Sequence, residues 1–208
     1  MKADQDYIRD IAEIRSMMER SSKFLSLSGW AGIMAGIYAL AGAYVAYAVL
    51  HFKPEEIYDQ GSRNEHYPST LLYVVLLAII LLILAISTAV LFSRKQAKHN
   101  GEKLWNSTSR RLLINMAVPL VAGGLLILIL LAKGYIGLLA PCTLIFYGLA
   151  LYNAGKFTFE EVKSLGLIQI ALGLLSAYFI GYGLLFWAIG FGFVHIIYGI
   201  LMHFKYER

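Results

Sequence analysis

One ionisable side chain falls well inside an apolar run of this chain. His195 has Gln169 and Ser176 on the run before it, and Thr143 and Tyr147 on the run before that. A neutral imidazole among amide and hydroxyl groups can donate and accept hydrogen bonds without carrying charge, which suits a binding or permeation site for a small neutral or anionic solute. Tyr198, one turn beyond His195, and Asn115, in an earlier run, would add a phenol and an amide. The plainer alternative is that these groups are polar glue between helices, with one satisfied imidazole and no ligand. Enzyme chemistry finds less support. No Asp/Glu pair lies inside a run, and no Ser/His arrangement comes with an oxyanion-forming loop. His51, His66, His99 and His203 stand at or beyond the borders of the runs, so no histidine pair is placed to bridge a haem. The single cysteine, Cys142, excludes a Cys-based metal cluster. No enzymatic activity, cofactor or metal is expected.

Helical spacing brings these residues together on paper. At about 1.5 Å of rise per residue, His195 comes level with Gly173, between Gln169 and Ser176. Ala188, Gly192, His195 and Gly199 share one face of the last run, and Gly166, Gln169, Gly173 and Ser176 form a similar small and polar face on the run before. The expectation is that these two faces pack against each other.

The elements that must carry them are membrane spans. The 208 residues are 59% hydrophobic and only 15% charged, with a mean hydropathy of +0.64, whereas a soluble domain is about 25% charged. Runs at about 25–50, 70–92, 112–132, 135–153, 165–180 and 184–204 approach or exceed the roughly 20 residues needed to cross a bilayer as a helix. The fold class is therefore all-α, a polytopic bundle of six spans. All 18 Lys and Arg and all 13 acids fall outside the runs. Three bases, Lys53, Arg63 and Lys133, would lie on one side of the membrane and the other fifteen on the opposite side. Basic loops stay on the side of synthesis, so both termini are expected to be cytoplasmic. That distribution accounts for the net charge of +5 without nucleic acid. The Asn106-Ser107-Thr108 motif would lie on the inner side and stay unglycosylated.

The polar stretch Ser93 to Arg111 anchors this orientation, with six bases against Glu102 and a central Gly101 that suggests two helical extensions meeting at a turn. Residues 1–24 read as an amphipathic helix, because Tyr7, Ile11, Ile14 and Met18 recur at spacings of four and three. The acid-rich start does not resemble a cleaved leader. In the first span Gly32 and Gly36 form a GxxxG pair, whose neighbour is either another span or a second copy of the chain. The loop His51 to Ser69 is acidic, without metal-ligand spacing. The second span, nearly pure Leu, Ile and Val, should face lipid, and Pro119 should kink the third. Two hairpins turn over through similar strings, Gly134-Tyr135-Ile136-Gly137-Leu138-Leu139 and Gly181-Tyr182-Gly183-Leu184-Leu185, which suggests a repeat.

The run Gly181 to Gly192 and the segment Tyr152-Asn153-Ala154-Gly155-Lys156 resemble an uncharacterised family of small six-helix bacterial inner-membrane proteins. The resemblance covers the last four spans. It implies a bacterial cytoplasmic membrane and brings no activity with it. Two functions fit the sequence: a small oligomeric channel or transporter, self-associating through the first span, or a membrane-anchored scaffold docking a cytoplasmic protein through residues 1–24 and 93–111.

Overall fold

Lipid offers the backbone no hydrogen-bond partner, so each apolar run must satisfy its own N–H and C=O groups, and each does so as a helix. The computed structural model describes residues 27–52, 69–99, 101 and 105–207. The amphipathic segment 1–24 and most of the acidic loop lie outside them. Helix α1 is Gly29–Tyr44, continued by a π-helical turn Val45–Val49; α2 is Ser69–His99, α3 Ser107–Ala132, α4 Leu139–Ala154 and α5 Glu160–Tyr178. The last rod joins α6 (Gly183–Trp187), a π-helical segment Ala188–Val194 and α7 (His195–Tyr206) end to end. Among the described residues the fold is an all-α bundle.

Among the described residues, five helices are long and apolar enough to cross a membrane: Gly29–Val49, Ser69–His99, Ser107–Ala132, Ile136–Ala154 and Ile180–Tyr206. The sixth, α5, does not reach that apolarity. Its first turns carry Glu160, Glu161 and Lys163, so the span expected at 165–180 instead begins at Glu160 and ends at Tyr178. What α5 lacks in hydropathy it makes up in burial, with Val162, Leu165, Gly166, Gln169, Gly173 and Ser176 all buried. The α2 helix is its opposite. Only Leu71, Ser93 and Ala97 of its 31 residues are buried, and Leu72, Leu82, Ile83 and Leu91 are about 60% exposed, as befits a helix facing lipid tails. It also runs seven residues past the expected end at 92, which carries Arg94, Lys95 and Lys98 out on the helix itself.

Turns sit where the chain needs left-handed backbone. Gly101, between α2 and α3, has φ 68°, and Gly134, between α3 and α4, has φ 79°. Asn106 starts α3 with a capping box: its Oδ1 accepts the Ser109 N–H at 2.7 Å, and its own N–H donates to Ser109 Oγ at 2.9 Å. Both later hairpins contain a 3₁₀ turn, Ile136–Leu138 and Ile180–Tyr182, but these fall at different places in the two similar strings: after the left-handed Gly134 in the first and across Gly181 in the second.

Close approach of backbones decides which helices pair. A methyl on Gly199 would lie 2.5 Å from the Gly29 carbonyl oxygen and 2.6 Å from the Ile33 nitrogen, and one on Gly36 would lie 2.7 Å from the Gly192 carbonyl oxygen. The Gly32/Gly36 face of α1 therefore packs on the last rod of the same chain. A second seam joins α4 to α5, where a methyl on Gly166 would come within 2.6 Å of the Tyr152 nitrogen. These contacts correct the expected pairing of small faces. Gly192 and Gly199 meet α1, while Gly166 and Gly173 meet α4, and α5 reaches the last rod through Gln169 beside Gly190, Ser176 beside Gly183 and Glu161 beside Tyr206. Two apolar clusters close the ends: Leu112, Leu151, Ala154, Phe159, Val162, Leu165 and Met202 at the end bearing Leu27, and Ala46, Phe52, Leu71 and Ile136 at the other.

The two ends of the described chain are tied together. Glu207 Oε1 accepts the Gly29 N–H at 2.7 Å, supplying from the far end of the chain the cap that Ser28 does not give α1, while Oε2 meets His203 Nδ1 at 2.7 Å. Burial pushes this carboxyl up, but its bonds to His203, Ser28 and Gly29 outweigh that and hold it below the usual carboxylate range. A depressed folded value means that the carboxylate's contribution is present above the ordinary value of about 4.3 and fades as pH falls through the folded one. Glu207→Gln is expected to cost about 1 kcal/mol at pH 7, the worth of a charged cap at a helix N-terminus. Thermal unfolding in detergent should show this loss at pH 7 and convergence of the two proteins toward pH 3. An equal loss at both pH values would show that charge is not what the contact uses.

Candidate functional site

Helices α4 and α5 and the π-helical segment of the last rod converge on His195. A π turn inserts one extra residue into a helix and aims side chains where an α-helix would not. Here the segment is Ala188-Ile189-Gly190-Phe191-Gly192-Phe193-Val194, and its effect is to bring His195 Nδ1 within 2.9 Å of the Gly190 carbonyl, five residues back. A carbonyl only accepts, so Nδ1 carries the proton, a tautomer assigned from the network. Nε2 is then a lone pair, and it accepts from Tyr147 Oη at 3.0 Å. Gln169 Nε2 donates to the same Gly190 carbonyl at 2.7 Å and stands 3.3 Å from Nδ1, two donors sharing one acceptor. Both nitrogens of a neutral imidazole are thus engaged.

Aromatic rings wall this cluster. Phe191 lies nearly parallel to the imidazole, 15° between planes and 5.8 Å between centroids. Tyr147 sits 5.5 Å from the imidazole and 5.0 Å from Phe191, and Trp187 is 5.1 Å from Phe191. His195 is 5% exposed, and Gln169 and Ser176 are fully buried. Gly190 has a packing role: a methyl there would meet Leu144 Cδ2 at 2.5 Å and Gln169 Oε1 at 2.6 Å.

Not every hydrogen-bonding group in the cluster's neighbourhood is used. Gln169 Oε1 and Ser176 Oγ are buried and lack a hydrogen-bond partner among the described residues. An unmade bond on a buried polar atom costs about 1–3 kcal/mol, so both are places where a guest molecule would gain.

The structure brings His195, Gln169 and Tyr147 into contact and leaves the other candidate residues apart. Ser176 lies two turns from Gln169 on the same face of α5. Thr143 donates to the Ala140 carbonyl of its own helix at 2.7 Å. Asn115, exposed, donates to the Arg111 carbonyl at 2.8 Å. Tyr198 packs with Leu151, Val162 and Met202 in the terminal apolar cluster. Gly32, Gly36, Gly192 and Gly199 belong to the α1 seam, and a methyl on Gly173 would meet Ile145 of α4. The Gly190 carbonyl, Phe191 and Trp187 were absent from the sequence-based set. The glycine-aromatic alternation Gly190-Phe191-Gly192-Phe193 is the signal that could have found them. Comparisons of the chain with protein-family models, with curated proteins and with solved structures find no match.

Proposed function

We propose that this multi-pass membrane protein is a small channel or transporter that binds a neutral, hydrogen-bond-donating solute beside His195. The observation that carries this reading is Gln169 Oε1, a fully buried amide oxygen with no partner among the described residues, next to an uncharged imidazole. Neutral is favoured over anionic because the cluster's donors, Tyr147 Oη, His195 Nδ1 and Gln169 Nε2, already have acceptors, while the group left over accepts. The π-helical segment is where the last rod would flex to admit solute, since such segments interrupt the regular ladder of backbone bonds. Self-association would use the outer face of α1, where Trp30, Ile37, Tyr44 and Tyr47 are exposed, because α7 covers the glycine face. The resemblance of the last four spans supports a bacterial cytoplasmic membrane, and the distribution of Lys and Arg supports both termini being inside. Labelling of single cysteines at positions 60 and 100, in a Cys142→Ser background, should find them in opposite compartments.

Proteoliposomes test the function. Water, glycerol and urea permeation, followed by light scattering after an osmotic step, should exceed that of empty vesicles for at least one solute. Gln169→Leu, close in volume and lacking the acceptor, should reduce that flux at least fivefold. Wild-type vesicles no leakier than empty ones across the panel would remove the reading. The scaffold alternative rests on a different observation, the extension of α2 to His99 with Arg94, Lys95 and Lys98 exposed. At about 1.5 Å per residue, 31 residues reach well beyond a hydrocarbon core of about 30 Å, leaving a basic rod for an acidic partner.

A further inference from the structure

The other unpartnered group, Ser176 Oγ, stands away from His195, at the end of the bundle where the two 3₁₀ turns meet. We propose that it binds a structural water, held between Ser176 Oγ and the Gly137 carbonyl in a gap beside Gly183. This goes beyond the solute site and does not depend on it.

Four observations meet at that point. Ser176 is fully buried, and its hydroxyl has no protein partner among the described residues. Gly137, in the first 3₁₀ turn, is buried too, and Pro141 has no N–H with which to take the Gly137 carbonyl at the usual helical spacing. The β-position of Gly183, just after the second 3₁₀ turn, lies 3.9 Å from Ser176 Oγ, 3.9 Å from the Gly137 oxygen and 3.5 Å from Ala140 Cβ. Lastly, it is the roomy exception among the buried glycines: a methyl on Gly148, Gly166, Gly173, Gly190, Gly192 or Gly199 would come within 2.7 Å of a neighbour. Room for a methyl-sized group therefore coincides with an unpartnered hydroxyl and with a buried carbonyl whose usual helical donor position is a proline. Buried waters occupy such sites, needing at least two polar partners, whereas gaps that stay empty are apolar. A water that donates to Gly137 and exchanges a bond with Ser176 would tie the hairpin turn before α4 to the one before α6.

The sign of two substitutions decides it. With water bound, Ser176→Ala lowers the thermal midpoint in detergent, because the water loses a partner. Gly183→Ala also lowers it, because the methyl takes the water's place and strands both oxygens. In the Ser176→Ala background, Gly183→Ala instead raises the midpoint, since the methyl then fills a gap that has lost its hydroxyl. A dry gap predicts the reverse for the single changes. Removing an orphan hydroxyl and adding a well-contacted methyl to a helix would each stabilise, and raised midpoints in both single variants would overturn the proposal. Density for a water within about 3 Å of both oxygens in an experimental structure would support it directly.

Discussion

Gly199→Leu is expected to open the seam between the first and last helices and to leave little folded protein after detergent extraction. A single methyl at this position already falls 2.5 Å from the Gly29 carbonyl oxygen and 2.6 Å from the Ile33 nitrogen. Both obstacles are backbone, so no side chain can swing aside, and α1 itself must move. Overpacking a core with extra methylene groups costs about 1–3 kcal/mol, and a graded series makes the point measurable. Gly199→Ala should lower the unfolding midpoint by an amount in that range, and Gly199→Leu by more. Gly124→Ala is the control, because nothing lies within 4 Å of the added methyl. A Gly199→Ala protein as stable as wild type would mean that the seam is looser than these distances. The same displacement would pull Gly29 away from Glu207, so the acid sensitivity expected of the Glu207 cap should weaken in Gly199→Ala.

His195→Ala is the second large loss. It leaves a cavity between α4, α5 and the last rod, and it strips Tyr147 Oη of its acceptor. Large-to-small core changes cost about 2–5 kcal/mol, and a stranded buried donor adds about 1–3 kcal/mol, so a total of about 3–8 kcal/mol is expected. Tyr147→Phe separates the two contributions: it leaves Nε2 unpaired but keeps the ring against Phe191, and should cost only about 1–2 kcal/mol. The double change His195→Leu with Tyr147→Phe replaces a bonded pair by an apolar one and should recover much of the loss. Failure of that recovery would indicate that the Gly190 carbonyl and Gln169, rather than Tyr147, depend most on the imidazole. Flux measured on the same proteins separates stability from function, since a rescued fold without the imidazole should remain impaired in permeation.

The clustering of charge outside the apolar runs made the helical character and the length of most spans legible, because the cost of placing an ion or a free backbone group in hydrocarbon admits few exceptions. Gly101 and Gly134 marked turns for a similarly local reason, and Leu-rich α2 declared its lipid-facing surface by having nothing else to offer. The helix α5 was read less well: Glu160, Glu161 and Lys163 lower its hydropathy, and only burial by its neighbours explains why Gln169 and Ser176 are tolerated there.

Pairing was a different matter. Four helices carry small residues at spacings of three and four, so their faces are interchangeable in sequence, and the choice of α1 with α7 and of α4 with α5 rests on which backbones approach within contact in three dimensions. The cluster at His195 depended on that choice and on a π-helical segment. One extra residue per turn shifts backbone bonding without changing composition, so the glycine-aromatic alternation at Gly190 and Phe191 marks an unusual stretch without saying which atoms it turns toward His195. What the chain determined by itself was where lipid would be met; which polar atoms met each other was decided by packing.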